Sequence, residues 1–179
     1  MSSTSRRRRA GRAAKRQPGP IYANAFARAI EGARTIPPEK VESAKRCMLH
    51  AFTAFGQGMA CADHLATMAD ALNVAEALTE LNICSDEGSR ERIAAAQRVL
   101  ADVADRFAGR GSWTLYPTER QQLDDGLWTH GVQLSFCSIS EYEAAVMRVQ
   151  RRVAGALAGN AAAGTRVVHG AIGATPCAL

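Results

Sequence analysis

The sequence predicts an all-α protein: a four- to five-helix up-and-down bundle with disordered N- and C-terminal tails. Three observations predict it. Alanine is abundant while only 6% of residues are aromatic, a mix that suits closely packed helices, because alanine loses no side-chain entropy and has the best helix propensity. Val, Ile and Thr are few and never alternate at period two, as a half-buried strand would require. Apolar residues recur instead every three or four positions, in segments that end at glycine or proline. With the tails set aside, a length of 179 residues leaves room for one domain of about 120–140 residues. That is long enough to bury a core without metal or disulfide staples.

Charge divides the chain sharply. Residues 1–20 carry seven cations (Arg6, Arg7, Arg8, Arg9, Arg12, Lys15, Arg16) and no acid. The whole chain is formally +5, so removing those seven leaves −2 for everything after Pro20. Low hydrophobicity, high charge and the breakers Gly11, Pro18, Gly19 and Pro20 predict a disordered basic arm over 1–20. The bundle domain is expected over 21–158. Residues 159–179, small and aperiodic, are expected to form a loose tail.

Each helix has its own signals. A short stretch over Tyr22 to Glu31 opens the domain. The next segment, Pro37 to Phe55, starts on two prolines that suit a first turn, where backbone N–H groups are free anyway. It presents Val41, Ala44, Met48, Ala51 and Phe55 at helical spacing and stops at Gly56-Gln57-Gly58. From Ala62 to Leu81, Leu65, Met68, Leu72, Ala75 and Leu78 or Thr79 share one face; Asp63, Thr67, Asp70, Asn73, Glu76 and Glu80 share the other. Ser89 to Phe107 has the stripe Ile93, Ala96, Leu100, Val103, Phe107, with Arg98–Asp102 and Asp102–Arg106 as expected i,i+4 pairs and Gly109-Arg110-Gly111 as the stop. Ser112 to Tyr116 reads as an extended link packing Trp113 and Leu115 across helix ends. A further helix spans Pro117 to Phe136, with Leu123, Leu127, His130 and Leu134 on one face. The last begins at a capping box, Ser138 with Glu141 or Ser140 with Glu143, and carries Tyr142, Val146, Val149, Val153 and Leu157. Short loops between these segments imply antiparallel neighbours.

Most chemical constellations reduce to structure. The five cysteines are widely spaced with no CxxC pair, and read as reduced, mostly buried small hydrophobes of a cytoplasmic protein. The basic start lacks the apolar stretch of a signal peptide, and no run of about 18 apolar residues marks a membrane span. His130 and Cys137 fall on one helix face, but catalysis would need hydrogen-bond reach and a third orienting group. A core histidine beside a buried thiol is the expectation. His50 and His64 are separated by a glycine break and have no carboxylate at ligand spacing, so no metal is expected. Asp124-Asp125 and Glu119 favour the positive end of a helix dipole, and Arg148, Arg151 and Arg152 the negative end. Leu65 to Val74 superficially matches the start of a helix-turn-helix, but the stripe runs on through Asn73 and the following helix carries Glu76 and Glu80, which phosphates would repel. No glycine-rich nucleotide loop is present. No catalytic residue, metal or cofactor is therefore expected.

Two features point to partners. The seven cations of the arm suit phosphate contacts on DNA or RNA, because arginine's planar fork donates two parallel hydrogen bonds and neutralised phosphates release counterions. The face from Asp63 to Glu80 is purely acidic: between Cys47 and Ser89 six acids meet no Lys or Arg. That face is either solvated or pairs with the arm, with Lys40, Lys45 and Arg46, or with another protein.

In order, the residues Ala71-Leu72-Asn73-Val74-Ala75-Glu76-Ala77-Leu78, Ile93-Ala94-Ala95-Ala96-Gln97, Arg110-Gly111, Glu119, His130 with Gln133-Leu134, and Glu141 before Val149, Arg151 and Arg152 form a pattern. It resembles that of small basic-tailed helical proteins of proteobacterial temperate phages and prophages. The resemblance spans roughly Asp63 to Leu157 through helical core motifs. It implies a phage origin and a helical fold, marks His130 and Gln133 as structural or interface residues, and transfers no catalytic residue. Two functions are expected from this reading. One is a non-enzymatic accessory protein holding nucleic acid through its arm, with the bundle as scaffold or homo-oligomer interface. The other is a protein–protein module that engages a host protein.

Overall fold

A computed structural model describes residues 21–157, and the expected arm (1–20) and C-terminal tail (159–179) lie outside it. Six helices account for the described chain: α1 (Ile21–Gly32), α2 (Pro38–Gly56), α3 (Ala62–Glu80), α4 (Glu87–Arg110), α5 (Pro117–Phe136) and α6 (Ile139–Leu157). The five longer helices match the segments read from periodicity, and α1 matches the shorter stretch before them. No described helix is long and apolar enough to cross a membrane.

The third helix is the hub. It packs against α2, α4, α5 and α6, while α4 lies closest along α5. Met68, Leu72, Ala75, Ala77 and Leu78 of α3 are completely buried, as are Ala96 and Val103 of α4 and Leu123 of α5. This explains why the α3 stripe is so apolar: it has neighbours on several sides, and each buried Leu or Met contributes about 2 kcal/mol of transfer free energy. The helix continues through Asn73 and Val74, so the helix-turn-helix alternative falls. Gly126 of α5 lets α4 approach, since a Cβ built there would lie 2.4 Å from Ala96 Cβ.

Caps fix the ends. Asp86 Oδ1 accepts from Ser89 N at 2.6 Å to start α4, and Gly111 closes it in the left-handed conformation (φ 68). Between Ser138-Glu141 and Ser140-Glu143, the former pair starts α6: Glu141 Oε2 accepts from Ser138 N at 2.7 Å and Ser138 Oγ from Glu141 N at 3.3 Å. The helix α3 uses an unusual version of the same box. Its N-cap is Cys61, and His64 Nδ1 accepts from Cys61 N at 3.2 Å. The α1–α2 link pairs with the α5–α6 link through an isolated bridge, Thr35 with Ser138, and Ile139 N donates to Arg34 O at 2.8 Å.

Several expectations are corrected by tertiary neighbours. Of the four described cysteines only Cys137 is buried; Cys61 and Cys84 are exposed and Cys47 is half-buried. Cys61 is exposed because it caps a helix, and Cys84 because it sits in a turn at φ 47. Phe107 leaves the buried stripe at the end of α4, 39% exposed, and stacks on Trp113 with ring centres 3.7 Å apart. Arg106 turns away from Asp102 to form a two-pronged pair with Glu119 on α5, at 2.9 and 2.8 Å. The acidic face of α3 meets neither Lys40, Lys45 nor Arg46. Glu80 is held by Arg148 at 3.2 Å and by Arg152, and Glu76 by Arg152 at 3.3 Å, both arginines from α6.

Candidate functional site

Helices α2 and α5 leave an open cleft between them. They run antiparallel: Lys45 lies beside Gly131 and within 3.5 Å of Ser135 Oγ, whereas the guanidinium of Arg120 lies over Phe52 and beside Gly56. Rising numbers on α2 therefore meet falling numbers on α5. The cleft encloses about 380 Å³, with Met48, Phe52 and Leu127 among its walls and Lys45, Asp124 and Ser135 as its polar members. Those three apolar residues are buried and belong to the core.

What distinguishes the cleft is its rim. Leu49 is 61% exposed, Trp128 66% and Phe136 68%, and all three line it. Helical geometry places them there. On α5 the buried residues Leu123, Leu127, His130 and Leu134 face the core, while Asp124, Trp128 and Ser135 sit on the opposite side of the same turns. An amphipathic surface helix would place polar residues there, and α5 places an indole and a phenyl ring. Two aromatic rings and a leucine displayed at that exposure offer roughly 350 Å² of apolar side chain. That is the order of the largest apolar patch on a typical monomer, about 300–600 Å², and such a patch is often functional.

Sequence reasoning missed this rim. Trp128 was legible only as a neighbour of His130, and Leu49 and Phe136 not at all. The signal was there in α5, whose apolar residues occupy two faces while a single stripe suffices for the core.

His130, Cys137 and Glu119 are ionisable groups held by contacts within the fold. His130 is 4% exposed, and burial pushes its pKa down to about 4, the neighbouring Gln133 amide opposing the shift only in part. His130 Nδ1 and Gln133 Oε1 are buried without a hydrogen-bond partner among the described residues. The other end of that amide is well used: Gln133 Nε2 lies 2.8 Å from Thr79 Oγ1, 3.2 Å from Ala75 O and 3.3 Å from Ile83 O, all acceptors on α3 or the turn after it. Burial, with a contribution from the charge of Glu141, raises the Cys137 thiol to about 11. A neutral imidazole and a firmly protonated thiol do not make an activated nucleophile. Glu119 is held below the usual carboxylate range: burial would raise it, but the Arg106 fork and the Tyr116 N–H outweigh that.

Folding does bring His50 to His64, with ring centres 5.4 Å apart, and His64 Nδ1 to 3.3 Å from Cys61 Sγ. Among the described residues, no three His, Cys, Asp or Glu side chains form a metal-binding group, and His64 is already committed to capping α3. Arg6, Arg7, Arg8, Arg9, Arg12, Lys15 and Arg16 lie outside the described residues. Arg148 and Arg152, which would extend a cationic surface, are occupied by Glu76 and Glu80. Neither protein-family models, curated proteins nor solved structures give a match to this chain.

Proposed function

We propose that this chain is a non-enzymatic accessory protein of phage or prophage type that works by docking protein on its α2/α5 face. The observation that carries this reading is the exposed Leu49, Trp128 and Phe136 around a cleft whose walls are continuous with the core. Large apolar side chains lose favourable transfer free energy when left in water, and aromatic anchors in a rimmed pocket are what protein interfaces use. The Cys137 thiol, which burial pushes up to about 11, is held away from the thiolate form that a cysteine nucleophile uses, which agrees with the non-enzymatic half.

A photo-crosslinking residue tests it. Placed at Leu49 or Phe136 of the full chain in proteobacterial cells, it is expected to give an adduct of discrete mass. Placed at Arg98, on the exposed side of α4, it is expected to give none. Equal, diffuse labelling from all three positions would sink the reading.

A second reading, nucleic-acid binding, is favoured by one observation: seven cations and no acid in the first twenty residues. The rest of the chain sums to −2 and its Arg148 and Arg152 are paired with Glu80 and Glu76, so that segment is the densest source of phosphate contacts.

A further inference from the structure

The helix α1 stands apart from the core that the other five helices share: no described residue of α1 belongs to it. It packs chiefly against α6, and at its last residue a Cβ on Gly32 would lie 3.1 Å from Ser140 Cβ. Ala25, Ala27, Arg28 and Ala29 are exposed, and Ile30 is 53% exposed. Yet α1 is strongly apolar, with Arg28 and Glu31 as its only charged residues. Its sequence repeats Tyr22, Phe26 and Ile30 every four residues with Ala25 and Ala29 between them, the spacing of one helix face, and sets Ala27, Arg28 and Glu31 on the other. A helix so divided gains stability by burying its apolar face, and the bundle leaves Ala25, Ala29 and Ile30 uncovered. Directly ahead of α1 stand seven cations and no acid over residues 1–20. The surface complementary to both features is negatively charged outside and apolar just beneath. Nucleic acid offers phosphate but nothing to cover the helix. A bilayer of anionic lipids offers both, phosphate at its headgroups and acyl chains a few ångströms below.

We infer that α1, led by the basic segment, is a peripheral membrane-binding element, which lays its Ala25, Ala29 and Ile30 face into the interface of a bilayer rich in anionic phospholipid. Neither signal suffices alone. One helix of 12 residues inserts little apolar surface, and a cationic segment by itself is held only by screened attraction. Together they act as the paired signals that make surface attachment stable, each Lys or Arg close to an anionic surface strengthening it about fivefold. The one acid of α1 opposes this only weakly, because Glu31 is paired with Arg34 at 3.1 Å. The link after α1 is fixed to the bundle, Thr35 bridging Ser138 and Ile139 N donating to Arg34 O at 2.8 Å, so a helix lying in the interface holds the bundle at the surface. The α2/α5 cleft has no part in this contact, and the inference stands apart from the docking reading.

Cosedimentation of the full chain with vesicles tests the inference, comparing phosphatidylcholine alone with phosphatidylcholine containing about one-third phosphatidylglycerol. Circular dichroism confirms that each variant is folded. Wild type is expected to bind the anionic vesicles at least about tenfold more tightly than the neutral ones, and to lose most of that preference in high salt. Ile30→Asp and Ala27→Asp make the same charge change on opposite faces of α1, and both positions are exposed, so the fold tolerates either. Ile30→Asp is expected to bind about tenfold or more weakly than Ala27→Asp, because only the first removes a side chain inserted among the lipids. Replacing Arg6, Arg7, Arg8 and Arg9 together by Ser is expected to weaken attachment about a hundredfold or more. Equal losses from Ile30→Asp and Ala27→Asp overturn the inference, since charge alone then accounts for attachment. Wild-type binding that ignores lipid charge overturns it too. So does a chain that holds duplex DNA but stays with none of the vesicles in the same low-salt buffer, an outcome that assigns the basic segment to nucleic acid.

Discussion

Single positions show how tightly the bundle is drawn. At Gly126 an added methyl would meet Ala96 Cβ at 2.4 Å, Leu72 Cδ2 at 3.2 Å and the Arg92 carbonyl at 3.3 Å, two of them on the neighbouring helix α4. Gly126→Ala is therefore expected to destabilise the protein by about 2 kcal/mol, overpacking outweighing the gain of about 1 kcal/mol in helix propensity. Gly109, with nothing within 4 Å of its would-be Cβ, is the control: Gly109→Ala is expected to stabilise by up to about 1 kcal/mol. Urea unfolding of both variants reads the contrast. His130 gives a pH signature. Its folded pKa is near 4 against an ordinary 6.5, so between those values the unfolded chain binds the extra proton. The stabilisation is complete above pH 6.5 and drains as pH falls toward 4. From pH 6.5 to 5 the loss is expected to be about 2 kcal/mol, and His130→Leu is expected to remove that slope; a variant with the wild-type slope would show that His130 is not its source. Burial of His130 was legible from its place on the stripe. Its unpartnered Nδ1 was not, because a sequence shows which face a residue occupies and not what stands opposite.

Elements were read best where local chemistry decides them. Pro117 at a first turn, the Ser138–Glu141 box, and the unbroken stripe through Asn73 each bound or extend a helix by interactions within a few residues, and α5, α6 and α3 follow them. Partners between elements were not legible. Arg106 reaches Glu119, and Arg148 and Arg152 reach Glu80 and Glu76, across many residues of chain, while i,i+4 spacing had suggested Asp102. The α6 pairs carry a prediction of their own. The helix α6 buries only Ala145 completely, with Tyr142, Val146 and Val149 partly buried against the core, so the arginines hold much of its length. Their side chains are 35–44% exposed, and half-exposed pairs add only about 0–1 kcal/mol each to global stability. Arg148→Ala with Arg152→Ala is thus expected to leave the midpoint of unfolding nearly unchanged yet speed amide exchange across α6. High salt is expected to shrink that difference, because screening weakens the wild-type pairs. Exchange rates in α6 that ignore both the substitution and the salt would refute it.

At the scale of the whole molecule, a near-neutral bundle follows a strongly cationic segment. Any affinity for nucleic acid is expected to reside in residues 1–20. The full chain is expected to bind duplex DNA at low salt with a log–log salt slope as steep as about −6, the limit if all seven cations engage phosphate. A chain starting at Ile21 is expected not to bind under the same conditions. Filter binding or anisotropy across a salt series decides it, and equal binding by both chains would assign the contact to the bundle instead.

The two tryptophans, finally, sit in opposite surroundings. Trp113 is sandwiched by ring contacts, stacked on Phe107 and edge-on to Phe55 at 6.1 Å, whereas Trp128 stands two-thirds exposed at the cleft. The protein thus carries an optical probe with two channels. A red-edge emission open to aqueous quenchers belongs to Trp128 and goes dark to them when the cleft is covered. The bluer, shielded emission of Trp113 moves only when the junction of α2, α4 and the link to α5 comes apart. Docking and unfolding can be watched separately in a single cuvette, without a label.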